Sequence, residues 1–287
     1  MSAAFASSRR GRFDAPASCV YRRTMPVIDA HTHAFPDELA RRAISRIEGL
    51  AGVHSVLDGT VSSLLRSMDA AGIERSIVLS IATKPSQFDS ILAWSRTAES
   101  SRIHCLLSVH PADPHAAERI RVCAEEGFKG LKFHPYYQDF DLDDPVMDPL
   151  YGAMEERGLV CVSHTGFDHA FPFLRRADPV RILHVLKRFP RLTFVATHLG
   201  AWRDWDQVAQ HLPGTRLWID TAYSLEFLPR EEARGLILSF PPERLLFGSD
   251  SPWACQERSL GLLRDLALGT RYENALLEEN ARTLFGL

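Results

Sequence analysis

From Met25 onward, short apolar runs alternate with longer amphipathic stretches. Eight runs stand out: Val27–His33, Ser76–Ala82, Ile103–His110, Gly130–His134, Leu159–His164, Leu192–His198, Leu217–Ala222 and Leu245–Asp250. They are rich in Val, Ile, Leu and Phe, and their apolar residues are consecutive instead of falling at every second position. A strand with one face in water alternates. A run without alternation is buried on both faces, as parallel strands covered by helices are. The stretches between the runs carry helical signals. Thr60–Gly72 spaces Leu64, Leu65 and Met68 along one face and ends on Gly. Asp113–Gly127 and Asp178–Phe189 open on Asp-Pro, a good helix start, and Pro145–Gly158, Pro229–Phe240 and Glu273–Phe285 fit the same description. Eight strands alternating with helices over about 260 residues predict an α/β fold, a (β/α)8 TIM barrel, with a doubly wound open sheet as the alternative. The stretch 34–75 exceeds one helix and predicts an extra helix or a lid over the mouth.

The first 24 residues break the pattern. They carry Arg9, Arg10, Arg12, Arg22 and Arg23 against a single acid, Asp14, and their longest apolar stretch is Ala3–Ala6. A secretory leader needs about 7–15 apolar residues. Residues 1–24 therefore read as a disordered N-terminal extension, or as sequence ahead of a start at Met25, before one barrel domain over 25–287. An organelle transit peptide is the alternative for an Arg- and Ser-rich, acid-poor segment.

Composition narrows the partners. A net charge of −3 supplies no bulk attraction for nucleic acid. No apolar run nears the about 20 residues of a membrane span. Five cysteines (19, 105, 123, 161 and 255) form no CxxC pair, which predicts reduced thiols and a cytoplasmic protein. There is no GxSxG elbow, no phosphate-binding GxxxxGK[ST] loop and no strand-linked GxGxxG. The expected partner is a small molecule, without nucleic acid or membrane, and a homo-oligomer stays open.

Six of the twelve histidines sit at or beside the ends of the apolar runs: His31, His33, His110, His134, His164 and His198. Asp250 ends the eighth run. In a barrel all C-terminal strand ends open on one face, where active sites sit. His31 and His33 are two residues apart, so both project to the same side of a strand, about 7 Å apart along it. They can share one metal, although a hydrogen-bonded pair at a polar strand end is the plainer reading of this dipeptide spacing alone. His164, His198 and Asp250 add further imidazoles and a hard carboxylate. Three His and one Asp suit Zn2+, with Mn2+ or Fe2+ possible, and three of these ligands plus water make an open, catalytic site.

The segments VIDAHTHAFP, VSHTG around His164, ATHLG around His198, FGSDSPW around Asp250 and the terminal ENARTLFGL together resemble the amidohydrolase superfamily. More closely they resemble its amidohydrolase-related branch, which includes aminocarboxymuconate-semialdehyde decarboxylase and γ-resorcylate decarboxylase. The resemblance covers roughly residues 25–287. It implies a metal-dependent barrel in which His31, His33, His164 and Asp250 hold one divalent ion, Zn2+ before others. His198 then binds a second ion or faces the substrate. The implied activity is hydrolysis of an amide, lactone or ester. Water on the ion, its pKa lowered from about 15.7 to about 7, attacks the carbonyl. Asp250 moves the proton and His198 polarises the carbonyl. The alternatives are a metal-dependent decarboxylase of a small unsaturated or aromatic acid, in which protonation at carbon precedes loss of CO2, and a non-catalytic barrel that keeps the metal for binding or stability. Asp250 could also be only a carboxylate that caps the next helix.

Lys132 shares a strand face with His134. Some superfamily members carboxylate a lysine here to bridge two metals. Otherwise Lys132 binds substrate or is a buried, ion-paired lysine. The favoured arrangement is one ion, with Lys132, His134, Trp202 and Trp253 touching substrate. Tyr136, Tyr137, Phe167 and Tyr223 join the two tryptophans as walls for a flat substrate, or as rim packing. Arg203 could bind a substrate carboxylate, but an exposed salt bridge is the expectation for it. His110 joins the site or caps its strand. His54, His104, His115, His169, His184 and His211 receive no role.

Overall fold

The computed structural model describes residues 25–171 and 173–287. Its strands are β1 Ile28–Thr32, β2 Arg75–Leu79, β3 Ile103–Leu106, β4 Gly130–Phe133, β5 Val160–Ser163, β6 Thr193–Ala196, β7 Trp218–Asp220 and β8 Leu245–Leu246. All pair in parallel, in the orders β1-β2-β3 and β4-β5-β6-β7-β8. Two bridges join the sheets, Thr32 to Ser251 and Leu107 to Leu131. At these seams the Ala30 N–H donates to the Phe247 carbonyl, the Asp250 N–H to the His31 carbonyl and the Lys132 N–H to the Leu107 carbonyl, each at 2.8 Å. An open sheet would leave these edge groups unpaired; the ring is a closed (β/α)8 barrel.

Helices sheathe the ring: α1 Asp37–Ala51, α2 Val61–Ala71, α3 Phe88–Ala98, α4 Ala116–Glu125, α5 Asp148–Arg157, α6 Pro179–Arg188, α7 Trp205–His211, α8 Arg230–Leu238 and α9 Gln256–Asp265. The expected punctuation is used. The Thr60 hydroxyl accepts from the Ser63 N–H at the start of α2, and Gly72 ends that helix in the left-handed conformation. Asp178 accepts from Val180 and Arg181 at the start of α6. The stretch 34–75 holds two helices, α1 and α2. Sequence periodicity did not signal α3, α7 or α9. The final helix is interrupted: Thr270–Asn274 and Asn280–Phe285 flank a π-helical turn, Ala275–Glu279.

Alternate strand positions serve two cores. Ile28, Ile77, Leu79, Leu106, Val160, Val162, Val195 and Leu246 fill the barrel, with Phe285 packed among them. Val78, Leu131, Phe133, Phe194 and Ile219 face the helices. Because Leu131 and Phe133 of β4 point outward, Lys132 and His134 point inward. Every expected run contains a strand, but the strands stop short of the runs' C-terminal ends, where polar residues leave the ladder for the mouth. Leu245–Asp250 keeps strand pairing over only its first two residues.

Cys105, Cys123, Cys161 and Cys255 are free thiols, the first three buried. Among the described residues no helix is long and apolar enough to cross a membrane. Residues 1–24, with Cys19 and the expected disordered extension, lie outside the described residues.

Candidate metal centre

Three donor atoms meet at the mouth. His31 Nε2 lies 3.3 Å from His33 Nε2, and Asp250 Oδ1 lies 3.2 Å from the first and 3.1 Å from the second. Tetrahedral ligands about 2.0–2.1 Å from a Zn2+ ion stand about 3.3 Å apart, so this triangle has the spacing of a cation site. Beside it His164 Nδ1 lies 3.0 Å from His198 Nε2, and the His31 and His198 ring centroids are 5.3 Å apart. His164 stands next to the triangle, linked to it through His198, instead of within it.

The second nitrogen of each ring decides what the first can do. His33 Nδ1 bonds the Leu79 carbonyl at 2.8 Å, His164 Nε2 the Phe167 carbonyl at 2.9 Å and His198 Nδ1 the Ala222 carbonyl at 2.9 Å. A carbonyl only accepts, so these nitrogens carry the hydrogens. Burial lowers the pKa of all three rings, well below the ordinary value for His164 and to about 4 for His198. Neutral rings held this way leave lone pairs bare: His164 Nδ1 faces His198 Nε2 at 3.0 Å, and His33 Nε2 faces Asp250 Oδ1 at 3.1 Å. Such contacts repel unless a cation takes the electron pairs. The donor set, imidazole nitrogens and one carboxylate oxygen, suits Zn2+ or Mn2+.

His31 differs. Burial and Lys132 lower its pKa, but Asp220 and Asp250 outweigh them and raise it. Its Nδ1–H donates to Asp220 Oδ2 at 2.8 Å. The other oxygen of Asp220 accepts from the His198 N–H at 2.8 Å. One carboxylate on β7 therefore orients the His31 imidazole and fixes the main chain of His198. Sequence reasoning missed Asp220; the available signal was an acid inside the apolar run Leu217–Ala222. Asp220→Asn is expected to weaken metal affinity about 10- to 100-fold, read by competitive metal titration, since outer partners of a ligating His set its basicity and aim. Unchanged affinity would remove Asp220 from this role.

Burial raises Asp250, but His31 and His33 outweigh it and hold its carboxyl well below the usual range. Asp29, raised to about 6 by burial, ties β1 to the β8 end. It accepts from the His31 N–H at 3.2 Å and the Ser249 N–H at 3.0 Å. Gly248 keeps the approach open, since a Cβ there would sit 2.8 Å from the His31 Cβ. His198 (φ 61°), Asp250 (φ 71°), Arg203 (φ 56°) and Tyr223 (φ 49°) adopt left-handed backbone, at a cost on the order of 1–2 kcal/mol each. Strain of this kind concentrates at functional sites.

Lys132 is 1% exposed. Burial lowers its pKa to about 8 against the pull of Asp220 and Asp250, and no hydrogen-bonded carboxylate holds its ammonium among the described residues. His134 stacks on His164 with centroids 4.2 Å apart and planes 13° from parallel. Its Nε2 lies 3.5 Å from Asp168 Oδ2, which is 3.9 Å from His164 Nε2. His134, His164 and Asp168 form a second, looser group of donors. Asp168 gave no sequence signal, because only the loop after β5 brings it here.

The rim is aromatic. Trp202 packs near His198 (6.4 Å between centroids), His169 (5.3 Å), Tyr223 (5.3 Å) and Phe227 (4.7 Å). The loops after β5 and β6 touch at Gly166, where a Cβ would lie 2.0 Å from the Trp202 nitrogen. Tyr136 spends its hydroxyl on the Gly166 and Leu174 carbonyls. Trp253 lies partly exposed in the turn after β8, its N–H bonded to the Asp250 carbonyl. His110 caps a turn, its Nδ1 accepting from the Ala112 N–H at 3.1 Å. Arg203 forms no salt bridge among the described residues, contrary to expectation.

A family model described as Amidohydrolase matches residues 28–287. No curated protein matches the chain. Among solved structures, an uncharacterised TIM-barrel protein of Bordetella bronchiseptica is 20% identical, with a TM-score of 0.72 over 91% of this chain and 99% of that one. A 2,6-dihydroxybenzoate decarboxylase from Rhizobium is 17% identical, with a TM-score of 0.65 over 91% and 99%. A 5-carboxyvanillate decarboxylase from Novosphingobium aromaticivorans, complexed with manganese and a hydroxy-methoxy-nitrobenzoic acid, is 16% identical, with a TM-score of 0.68 over 93% and 97%.

Proposed function

We propose, from the premise that this chain belongs to the amidohydrolase family, that it is a metal-dependent decarboxylase of a small, planar unsaturated or aromatic carboxylic acid. The observation that carries this reading is Lys132. It is a buried ammonium without a bonded carboxylate, in the same barrel mouth as five converging donor atoms. A second cation beside a metal site suits a substrate that is itself an anion. Hydrolysis of an amide, lactone or ester uses the same Asp250 and His198 but leaves Lys132 without a task. That 2,6-dihydroxybenzoate and 5-carboxyvanillate decarboxylases share the fold supports the same choice.

His31, His33 and Asp250 are the residues that would hold the divalent ion, with His198 and His164 beside them. When bound, the ion supplies Lewis acidity that fixes and polarises substrate oxygens; Zn2+ and Mn2+ both suit the donors. Lys132 holds the substrate carboxylate. Asp250, kept ionised by His31 and His33, takes a proton from a substrate hydroxyl or solvent. It delivers that proton to the carbon bearing the carboxylate. The carbon–carbon bond then breaks, its electron pair returns to the unsaturated system, and CO2 leaves. Carboxylate plus proton becomes C–H product plus CO2. His134, stacked on His164, and the aromatic rim keep the substrate flat against this machinery.

The test is CO2 release by Mn2+- and Zn2+-loaded protein from 2-hydroxybenzoate-type and muconate-type acids, run beside a lactone, ester and amide panel. The expected result is CO2 from an acid and none of the hydrolytic activity. Turnover confined to the lactone, ester or amide panel would replace the proposal with the hydrolase reading.

A further inference from the structure

The ladder between β3 and β4 ends in a substitution. The Lys132 N–H donates to the Leu107 carbonyl at 2.8 Å. Two residues on, a parallel ladder would pair the His134 N–H with the Val109 carbonyl. The two groups meet through a side chain instead. Gln138 Oε1 accepts from the His134 N–H at 2.8 Å, and Gln138 Nε2 donates to the Val109 carbonyl at 2.9 Å and to the Ala82 carbonyl at 3.0 Å. The Gln138 N–H closes the turn on the His134 carbonyl at 3.0 Å.

Gln138 is buried, and its one acceptor and two donors are matched to one N–H and two carbonyls. A Glu lacks the donors and a Lys the acceptor. The inserted amide holds the ends of β3 and β4 further apart than a direct backbone bond would, where the mouth begins, and ties the loop after β2 to both. His134 is the residue that depends on it. His31, His33, His164 and His198 each have a ring nitrogen bonded at 2.8 or 2.9 Å. The His134 ring has no such lock among the described residues: Nδ1 lies 3.5 Å from the Tyr137 nitrogen and Nε2 3.5 Å from Asp168 Oδ2. Its stack on His164 is therefore aimed from its main chain, and Gln138 holds that main chain on both sides.

We propose that Gln138 is a positioning residue: its amide, inserted between the ends of β3 and β4, fixes the main chain from which the His134 ring is aimed at His164 and the substrate. The proposal rests on the reading of His134 as a substrate contact only for its effect on acid binding; the aim of the ring is a matter of geometry.

The variants are Gln138→Met, which keeps the length and loses the amide, and His134→Ala, alone and combined with Gln138→Met, all Mn2+-loaded. Crystal structures read the ring, and calorimetry reads the affinity for 2-hydroxybenzoate and for the metal. Gln138→Met is expected to move the His134 ring by more than about 0.5 Å or about 20° from its stack, the tolerance of an organised site. It should weaken 2-hydroxybenzoate at least about tenfold and metal less than about twofold. In the His134→Ala background the same substitution should change acid affinity less than about twofold, since losses that act through one ring do not add. Where Gln138→Met does not fold, Gln138→Asn, whose amide falls one methylene short, carries the same comparison. An unmoved ring overturns the proposal, as do equal losses with and without the His134 ring, or acid affinity that falls only in step with metal affinity. A moved ring in protein that binds no acid, or whose acid affinity His134→Ala leaves unchanged, supports the positioning and sinks the placement of His134 against the substrate. Acid affinity that needs His134, beside an unmoved ring in Gln138→Met, does the reverse.

Discussion

Asp250→Asn is expected to lower kcat by at least about 1,000-fold in protein that folds and carries metal. Removing a positioned proton carrier alone costs about 100- to 10,000-fold. Here the same oxygen stands 3.2 and 3.1 Å from two imidazole nitrogens, so the substitution also takes a charge from the cation site. The amide keeps the shape of the carboxylate, and the Asp250 N–H and carbonyl keep their backbone bonds to His31 and Trp253. Folding should survive. The measurement is kcat against metal content per chain; more than about a tenth of wild-type turnover in the metal-loaded variant would show that Asp250 carries no proton.

Stripping the metal with a chelator should remove activity entirely and lower the melting temperature, with both restored by Mn2+ or Zn2+. The bare nitrogens of His33, His164 and His198 repel their neighbours when no cation takes their electron pairs. A ligand bound only by the folded state stabilises it by about 4 kcal/mol at a thousandfold excess over Kd. His31→Ala should resemble the stripped protein permanently, since His31 Nε2 touches both other corners of the triangle and its Nδ1 engages Asp220. Metal analysis with calorimetry reads the result. Purified protein that neither contains nor binds a divalent ion would end the metal-dependent account.

Much of this site was legible because strand ends are local features. An apolar run that stops on His or Asp announces its polar end without knowledge of its neighbours, so His31, His33, His164, His198 and Asp250 were all visible. The even spacing of Lys132 and His134 also read correctly as one inward face. Asp220 lay one step beyond, an acid inside an apolar run with nothing in the sequence to say that it faces His31. Asp168 and His169 were invisible, because a loop contact leaves no periodic trace. Arg203 was visible as a charge, but whether a carboxylate neutralised it depended on which acids the fold brought near.

The order of apolar and polar positions along the chain was enough to determine eight buried parallel strands with helices between them and imidazoles at their ends, since strand and helix periods are properties of neighbouring residues; closure of the ring against an open sheet was decided by the seam bonds. Tertiary structure alone decided which nitrogens are bare. The Leu79 and Ala222 carbonyls that hold His33 and His198 come from 46 and 24 residues away, and the carboxylate that holds His31 from 189 residues away. A proton's place on an imidazole depends on the acceptor opposite, and that acceptor is chosen only when the ring of strands closes.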